Sequence, residues 1–294
     1  MAIEAGALEE LAFDLIVKAA TEAPPGLVRL LEDALDREQE AIARAQLSAI
    51  LSNIRLAREK RESICQDTGL PSFYLDLGTE CRLEGDVYAA LSSAVARATE
   101  SVPLRQNVIH PLTKANSGTN TGWGMPAVFT TLLPGADYLD IAFVPKGFGS
   151  EIRSSITWVL TSEDIRKATM KAVLDVVEDS MGEPCPPVIV GVGLGGTADI
   201  AMLNAKRALL RTPLGRRNDD PAVAELETNL LDAVNRTGLG PMGFGGSTYA
   251  LACSVEICGA HTAVVPIAII FQCWAHRYAR ARIDAAGHVK MLEQ

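Results

Sequence analysis

The composition and charge of this chain are those of an ordinary soluble globular protein. It has 294 residues, 48% hydrophobic and 21% charged, which suffices for one large or two modest domains. The formal net charge of −9 argues against nucleic acid or an anionic membrane as a general partner, because both need a basic surface.

We expect this sequence to carry neither a signal peptide nor a membrane-spanning segment. Met1–Ala5 lacks the basic and apolar segments of a signal peptide, and the apolar run Ala263–Phe271 is too short to span a bilayer. We therefore expect a cytoplasmic protein.

The cysteines are expected to be free thiols or metal ligands, because a chain of this size needs no disulfides for stability. No Cys-x-x-Cys pair occurs, so zinc ribbons, thioredoxin chemistry and compact ferredoxin runs lose support. The six cysteines are Cys65, Cys81, Cys185, Cys253, Cys258 and Cys273.

The first 61 residues are predicted to form an all-helical entry region. Apolar residues recur at helical spacing over Ile3–Ala20 and over Asp36–Arg61. Pro24-Pro25-Gly26 separates the two stretches, because proline breaks a continuous helix. Residues 62–294 are expected to form the core that follows.

A polar turn opens this core. Cys65-Gln66-Asp67-Thr68-Gly69 places a thiol, an amide, a carboxylate and a hydroxyl before a predicted strand, Ser72–Leu77. Asp and Thr beside Gly are common turn residues, and a single Cys commonly packs as a small hydrophobe. The stretch alone therefore does not distinguish a site from a turn.

The middle of the chain is predicted to contain a helix, a loop and a hairpin. The helix covers Gly85–Ala98, and Asn116–Gly122 is too polar and rich in glycine for regular structure. Two strands, Ala127–Leu133 and Tyr138–Val144, are joined at Pro134-Gly135, which predicts a hairpin-type connection.

The second half alternates predicted helices and strands. Thr161 and Asp164 form a capping box for a helix that runs to about Ser180. The later elements are a strand over Pro187–Val192, helices from Thr197 to about Arg211 and from Pro221 to Gly238, and strands over Tyr249–Ile257 and Thr262–Phe271. The predicted fold class is α+β, with a helical N-terminal region followed by a mixed sheet and surrounding helices, in one unit over 1–294.

A glycine-rich segment between a strand and a helix supports a rival function. Gly191-Val192-Gly193-Leu194-Gly195-Gly196 matches a loose G-x-G-x-x-G, where a dinucleotide pyrophosphate can bind helical N–H groups. The fingerprint expects an acidic residue about twenty positions later, but Arg211–Arg217 lies there. An NADP-binding oxidoreductase and a purely structural glycine turn both stay open.

Several isolated side chains are candidates for a site. Cys185 lies among prolines, Cys273 ends an apolar strand, and His261 precedes that strand. From the residues alone a cluster of three cysteines stays one possibility, because the other three are equally available. Arg105, together with Lys146 and Arg153, is suited to binding carboxylates or to an ordinary solvated surface.

Taken together, the motifs resemble the alpha subunit of the class I iron–sulfur fumarate hydratases and the related L(+)-tartrate dehydratases. They follow that family's order from about Ser63 to Arg277. They are Cys65-Gln66-Asp67-Thr68-Gly69, Pro103-Leu104-Arg105, Asn116-Ser117-Gly118-Thr119-Asn120, Pro145-Lys146-Gly147-Phe148-Gly149-Ser150-Glu151, Cys185-Pro186-Pro187, Gly193-Leu194-Gly195-Gly196-Thr197, His261 and Cys273-Trp274-Ala275.

The resemblance implies a set of site residues. It assigns the ligands of a [4Fe–4S] cluster to Cys65, Cys185 and Cys273, and a role in assisting the general base to Asp67. The implied contacts to a dicarboxylate or hydroxy-diacid substrate are Gln66, Arg105, His261 and a backbone amide near Gly149. Phe148 departs from the family, which more often has a small residue there, and this could narrow the pocket.

The implied activity is reversible hydration of fumarate to L-malate in the tricarboxylic acid cycle, with L(+)-tartrate dehydration as the alternative. The family's base lies in a second domain, for which there is no room after Cys273. A separate beta subunit is therefore expected to complete the active site. A non-catalytic iron–sulfur sensor or assembly module is the remaining alternative.

Overall fold

The structure is a computed structural model that describes residues 2–102 and 104–293. Pro103 of the Pro103-Leu104-Arg105 motif lies outside the described residues. The chain divides into two compact units: unit 1 comprises residues 1–24, 53–147 and 277–294, and unit 2 comprises residues 25–52 and 148–276. Whether 1–294 acts as one hydro-lyase domain stays a prediction. No helix of the described part is long and apolar enough to cross a membrane.

The elements confirm the predicted α+β class. The helices are α1 (Ala5–Thr21), α2 (Pro25–Arg37), α3 (Ala41–Lys60), α4 (Val87–Ser101), α5 (Phe148–Glu151), α6 (Ile165–Ser180), α7 (Ala198–Ala208) and α8 (Pro221–Asn235). The strands are β1 (Ile3–Glu4), β2 (Leu70–Gly78), β3 (Leu83–Glu84), β4 (Ala127–Leu133), β5 (Tyr138–Lys146), β6 (Ser155–Leu160), β7 (Val188–Leu194), β8 (Ala250–Ile257), β9 (Val264–Gln272), β10 (Ala279–Asp284) and β11 (Val289–Met291).

The entry region is helical, but the prediction of one helix starting at Asp36 is wrong. Asp36 belongs to α2, and the chain turns at Glu38, which is only 1% exposed. Glu38 Oε1 accepts hydrogen bonds from the backbone N–H groups of Gln39 (2.9 Å) and Glu40 (3.1 Å), while Oε2 accepts from Ser247 N (2.7 Å). Burial opposes ionisation, but these hydrogen bonds lower the pKa of Glu38. A buried carboxylate therefore ends one helix and precedes the next.

In unit 1 the predicted hairpin between β4 and β5 is wrong, because β2 lies between these two strands. The sheet order is β11-β10-β5-β2-β4, with β4 parallel and β5 antiparallel to β2. The β4 to β5 connection crosses the end of β2 at Gly78, where a Cβ atom would lie 2.2 Å from Ala136 O. Thr79 N donates to Leu133 O (2.9 Å) and anchors the crossing.

The apolar core of unit 1 holds the polar turn in place. Helices α1 and α4 pack against each other and bury residues such as Leu15 and Leu91, which are both fully buried. They share one hydrophobic cluster with Phe73 of β2 and Ile141 of β5. Since the turn Cys65–Gly69 leads directly into β2, this core fixes where the turn lies.

Unit 2 is built on a second sheet with the order β6-β9-β7-β8. Strand β7 is parallel to β8 and antiparallel to β9. Helix α7 packs so closely on β7 that a Cβ atom at Gly193 would lie 2.0 Å from Ala201 O, and one at Gly191 would lie 2.2 Å from Ala205 O. These two glycines therefore allow close packing of the helix on the strand.

Two local predictions in unit 2 need correction. Asp164, not Thr161, is the N-cap of α6, since its side chain accepts from Lys167 N (3.2 Å). The Thr161 hydroxyl instead donates to Thr262 O (2.6 Å). Helix α7 ends at Ala208, earlier than the predicted Arg211. Strands β1, β3, β6, β10 and β11 were not predicted. Strand β6 pairs with β9 and β10 pairs with β5, and both partners are distant in sequence.

The close packing of α7 on β7 gives a first testable prediction. We expect Gly193→Ala to lower the free energy of unfolding by about 2 kcal/mol or more, because overpacking against a fixed backbone typically costs about 1–3 kcal/mol. The matched control is Gly6→Ala in α1, where a Cβ atom would meet nothing within 4 Å. This control should be neutral or stabilising by about 0.5–1 kcal/mol. Equal urea unfolding curves for the two variants would contradict the packing argument.

Candidate active site

The turn Cys65–Gly69 of unit 1 is closed by its own carboxylate. Asp67 Oδ1 accepts hydrogen bonds from Gly69 N (2.9 Å) and from Asn107 Nδ2 (3.2 Å). Gly69 has φ of +81°, and a Cβ atom there would lie 2.7 Å from Pro145 C, so only glycine fits. Cys65 is half-buried beside this turn. The Asp67 carboxylate is thus fixed in orientation.

Thr68 joins the turn to the segment that carries Arg105. Its buried hydroxyl accepts from Arg105 N (2.9 Å) and donates to Arg105 O (3.4 Å). Asn120 Nδ2 also donates to Arg105 O (3.0 Å), and Asn120 Oδ1 accepts from Asn107 N (2.7 Å). The backbone of Arg105 is therefore held next to the turn by side chains that are themselves buried.

Two predicted substrate contacts of unit 1 are exposed. Gln66 and Arg105 both present their side chains to solvent. The Arg105 guanidinium forms no ion pair with an acidic side chain in the described part of the chain. Because the backbone of Arg105 is fixed and its planar guanidinium exposes parallel N–H donors, this residue suits recognition of a carboxylate.

Arg277 is a residue of this site that sequence reasoning missed. It is 1% exposed, and its Nη2 donates to Asp67 O (2.7 Å). A Cβ atom at Gly147 would lie 3.3 Å from Asp67 Oδ2, a tight contact, and 3.8 Å from Arg277 Nη2, so Gly147 lies beside both groups. In the sequence Arg277 marked only the end of the motif region, because its contact with Asp67 depends on distant strand pairing.

In unit 2 the two predicted ligands Cys185 and Cys273 come from segments that are hydrogen-bonded to each other. Cys185 O accepts from the backbone N–H of Trp274 (3.2 Å), the residue after Cys273. Cys185 has φ of +55° in a tight turn, where its N–H donates to Gly182 O (3.1 Å). Both cysteines are half-buried. The structure therefore brings these two thiol-bearing segments together.

Gly149 lies beside the same turn. A Cβ atom on Gly149 would lie 3.5 Å from Glu183 O, which is also 3.7 Å from Cys185 Sγ. Arg153 Nε donates to Glu183 Oε2 (2.6 Å), so this candidate carboxylate-binding residue is already ion-paired. Phe148, the departure from the family pattern, is 46% exposed.

His261 and Cys273 lie at opposite ends of β9. His261 precedes this strand, whereas Cys273 follows it, and β9 contains nine residues. An extended strand rises about 3.3 Å per residue, so roughly 25 Å separates the two ends of β9. His261 Nδ1 accepts from Ala263 N (3.2 Å), which places the proton of a neutral ring on Nε2. Unit 2 of a single chain therefore does not bring His261 to Cys273.

The six cysteines, all in the described part, differ in their suitability as metal ligands. None forms a disulfide. Burial raises the pKa of the Cys253 thiol strongly, and burial together with Asp137 raises the pKa of Cys81. Because the thiolate is the ligand form, these two are poorly suited. Over residues 2–102 and 104–293, no three His, Cys, Asp or Glu side chains are grouped closely enough to hold a metal ion.

Two of the three arginines of the rival NADP interpretation are engaged in ion pairs, and the third, Arg217, donates to Cys253 O (3.4 Å). Arg211 binds the buried carboxylate of Glu227 and also Glu256 (2.7 Å). Arg216 binds Asp219 (2.6 Å). A 2′-phosphate would have to displace these carboxylates, and the preceding glycines are explained by the packing of α7 on β7.

Comparison with known proteins decides the family. The sequence profile described as fumarate hydratase (Fumerase) matches residues 9–282. The chain belongs to this family. Several relatives carry the name L(+)-tartrate dehydratase subunit alpha, and two of them illustrate the similarity. The Methanocaldococcus jannaschii protein is 39% identical over 283 residues, covering 95% of this chain and 99% of the relative. The Escherichia coli K12 protein is 30% identical over 278 residues, covering 95% and 91%.

The family assignment confirms the resemblance carried by the motifs. As a member of the Fumerase family, the chain is a hydro-lyase. The family name refers to fumarate and the relatives' names refer to tartrate, so the comparisons leave both substrates in consideration.

The buried amide that holds the Arg105 segment gives a second prediction. Asn120→Asp removes the Nδ2 donor to Thr99 Oγ1 (3.2 Å) and Arg105 O, and puts carboxylate oxygen against a carbonyl. We expect a loss of about 2 kcal/mol in the free energy of unfolding, since an unsatisfied buried group costs about 1–3 kcal/mol. The matched control is Asn116→Asp, an exposed site whose Nδ2 donates to Gln106 O (2.9 Å). Similar losses in urea titrations of both variants would show that Asn120 is not a buried clamp.

Proposed function

We propose that this hydro-lyase is the alpha subunit of a class I fumarate hydratase, which adds water reversibly to fumarate to give L-malate. A place in the tricarboxylic acid cycle and in the cytoplasm forms part of the same proposal. The main structural support is the fixed Asp67 turn, which has the exposed side-chain donors of Gln66 and Arg105 beside it. The chain also belongs to the Fumerase family. The second candidate is L(+)-tartrate dehydration, which the relatives' names favour.

Cys65, Cys185 and Cys273 are proposed to hold a [4Fe–4S] cluster. Their chemistry suits such a group, because all three are half-buried thiols outside disulfides, and two come from hydrogen-bonded segments of unit 2. When bound, the group supplies a Lewis acid at an iron without a protein ligand, which makes hydroxide a better leaving group. The ligand assignment itself comes from the resemblance of the motifs.

The remaining residues are proposed to bind the substrate and assist proton transfer. The Arg105 guanidinium would pair with one carboxylate through two parallel N–H donors. Gln66 would add an amide contact, and the backbone near Gly149 would add an N–H donor. The Asp67 carboxylate, whose Oδ1 is held by Gly69 N and Asn107 Nδ2, would orient the general base that removes the carbon-bound proton.

His261 requires a separate explanation in this proposal. Its Nε2–H suits a carboxylate, but β9 separates it from Cys273 by roughly 25 Å within one chain. We therefore infer that His261 takes part in catalysis only where a neighbouring copy of the chain supplies it.

A beta subunit is proposed to supply the base and further substrate contacts. The support is the word alpha in the names of the relatives, which cover nearly the full length of this chain. A module that carries a cluster without catalysis is the non-enzymatic alternative.

The proposal predicts that the isolated chain is inactive and that co-expression with its beta subunit produces hydratase activity. The assay compares fumarate, L-malate and L(+)-tartrate under anaerobic conditions. Preferred turnover of fumarate and L-malate supports the first candidate, and preferred turnover of tartrate supports the second. Absence of turnover by the assembled subunits with all three diacids would leave only the non-enzymatic alternative.

The ligand assignment gives a separate prediction. Replacing Cys65, Cys185 or Cys273 with Ser should abolish the visible iron–sulfur absorbance and the bound iron of anaerobically prepared protein. The matched controls, Cys81→Ser and Cys258→Ser, should keep both. Loss of iron in either control, with retention in the first three variants, would overturn the assignment.

A further inference from the structure

Arg277 places a full positive charge in the interior of the protein. It is 1% exposed and is the largest fully buried side chain of the described residues. A guanidinium stays protonated in proteins, so burial does not neutralise it. Removing such a charge from water is strongly unfavourable unless a partner compensates it.

The described residues satisfy only part of this guanidinium. Nη2 donates to Asp67 O (2.7 Å), but neither Nε nor Nη1 has a hydrogen-bond acceptor in the part of the chain that the structure describes. Arg282 provides a contrast in the same unit. Its Nε and Nη2 donate to the two carboxylate oxygens of Asp140 (2.6 and 2.8 Å), and it lies over the Tyr138 ring. The guanidinium of Arg282 is thus paired with a carboxylate, whereas that of Arg277 has two buried donor atoms without an acceptor in the described residues.

Strand pairing within unit 1 sets the position of Arg277. Strand β10 begins at Ala279, which pairs with Phe143, and Leu70 of β2 pairs with Lys146. Arg277, two residues before β10, therefore lies where β5 ends and the Asp67 turn leads into β2. A fully buried cation with unsatisfied donors is fixed at the turn that carries the predicted catalytic carboxylate.

We propose that Arg277 binds an anion that the candidate site takes up. Nη2 holds the backbone of the Asp67 turn, and Nε and Nη1 donate hydrogen bonds to the incoming anion. The inference rests on the proposed function, which provides two anions with this chemistry: thiolate-bound iron–sulfide and a substrate carboxylate. Both combine negative charge with acceptors that suit N–H donors.

The test measures how much each anion stabilises the full-length chain against heat. Wild type, Arg277→Met and Arg277→Lys are melted anaerobically without metal, after reconstitution with iron and sulfide, and after further addition of succinate. The matched control is Arg282→Met, which removes an internally paired guanidinium and should lower all three melting temperatures equally. Iron retained against a chelator provides the second readout.

We expect Arg277→Met to lose at least half of the wild-type gain in melting temperature in one of the two additions. If the gain in melting temperature is lost at the iron and sulfide step, the anion is the cluster. Iron should then be held on the order of ten- to a hundredfold more weakly, because hydrogen bonds to charged groups are strong. Loss only at the succinate step assigns the anion to a carboxylate. Arg277→Lys keeps the charge without the planar fork, so it should lose part of the gain, and it serves as the test if the Met variant does not fold.

If Arg277→Met keeps the full wild-type gain in melting temperature after both additions, Arg277 is purely structural. The proposed function then stands. A wild-type chain that takes up no iron contradicts the proposed function and this inference together.

Discussion

The hydrogen bonds between Thr68 Oγ1 and the backbone of Arg105 are the constraint on which the unit 1 site depends. The hydroxyl accepts from the N–H and donates to the carbonyl of one residue, so it fixes that residue against the Asp67 turn. Asn120 Nδ2 also donates to Arg105 O, and Asn120 Oδ1 accepts from Asn107 N two residues later. Buried polar groups must find partners, and here those partners belong to the two segments that the site needs to hold together. The exposed side chains of Arg105 and Gln66 are therefore presented from a rigid backbone.

Unit 2 uses backbone geometry for the same purpose. The carbonyl of Cys185 is tied to Trp274, and its left-handed conformation is held by a turn closed at Gly182. The hydrogen bond from Trp274 N to Cys185 O positions the two thiol-bearing segments next to each other. In unit 1 the predicted functional residues lie next to Gly69, where a Cβ atom would lie 2.7 Å from Pro145 C, so glycine allows a close backbone approach there.

Local sequence pattern predicted most elements of this fold, but it could not predict how they pair. Strands β4 and β5 have the pattern of a hairpin, and only the insertion of β2 separates them. His261 and Cys273 are close in sequence, yet an extended strand places them at opposite ends of a sheet. Arg277 gains its contact with Asp67 through pairing of β10 with β5, which no local pattern indicates. The motifs identified the family because several specific motifs in a fixed order along the chain carry more information than the spacing between single residues.

The central claim is that one iron–sulfur group is held by Cys65, Cys185 and Cys273. An anomalous difference map at the iron absorption edge, from crystals of anaerobically prepared protein with its beta subunit, tests it most directly. The account predicts one compact iron peak in contact with the sulfur atoms of these three cysteines and no others. Iron bound elsewhere, for example at Cys258, or a peak that one of the three sulfurs does not reach, would contradict it.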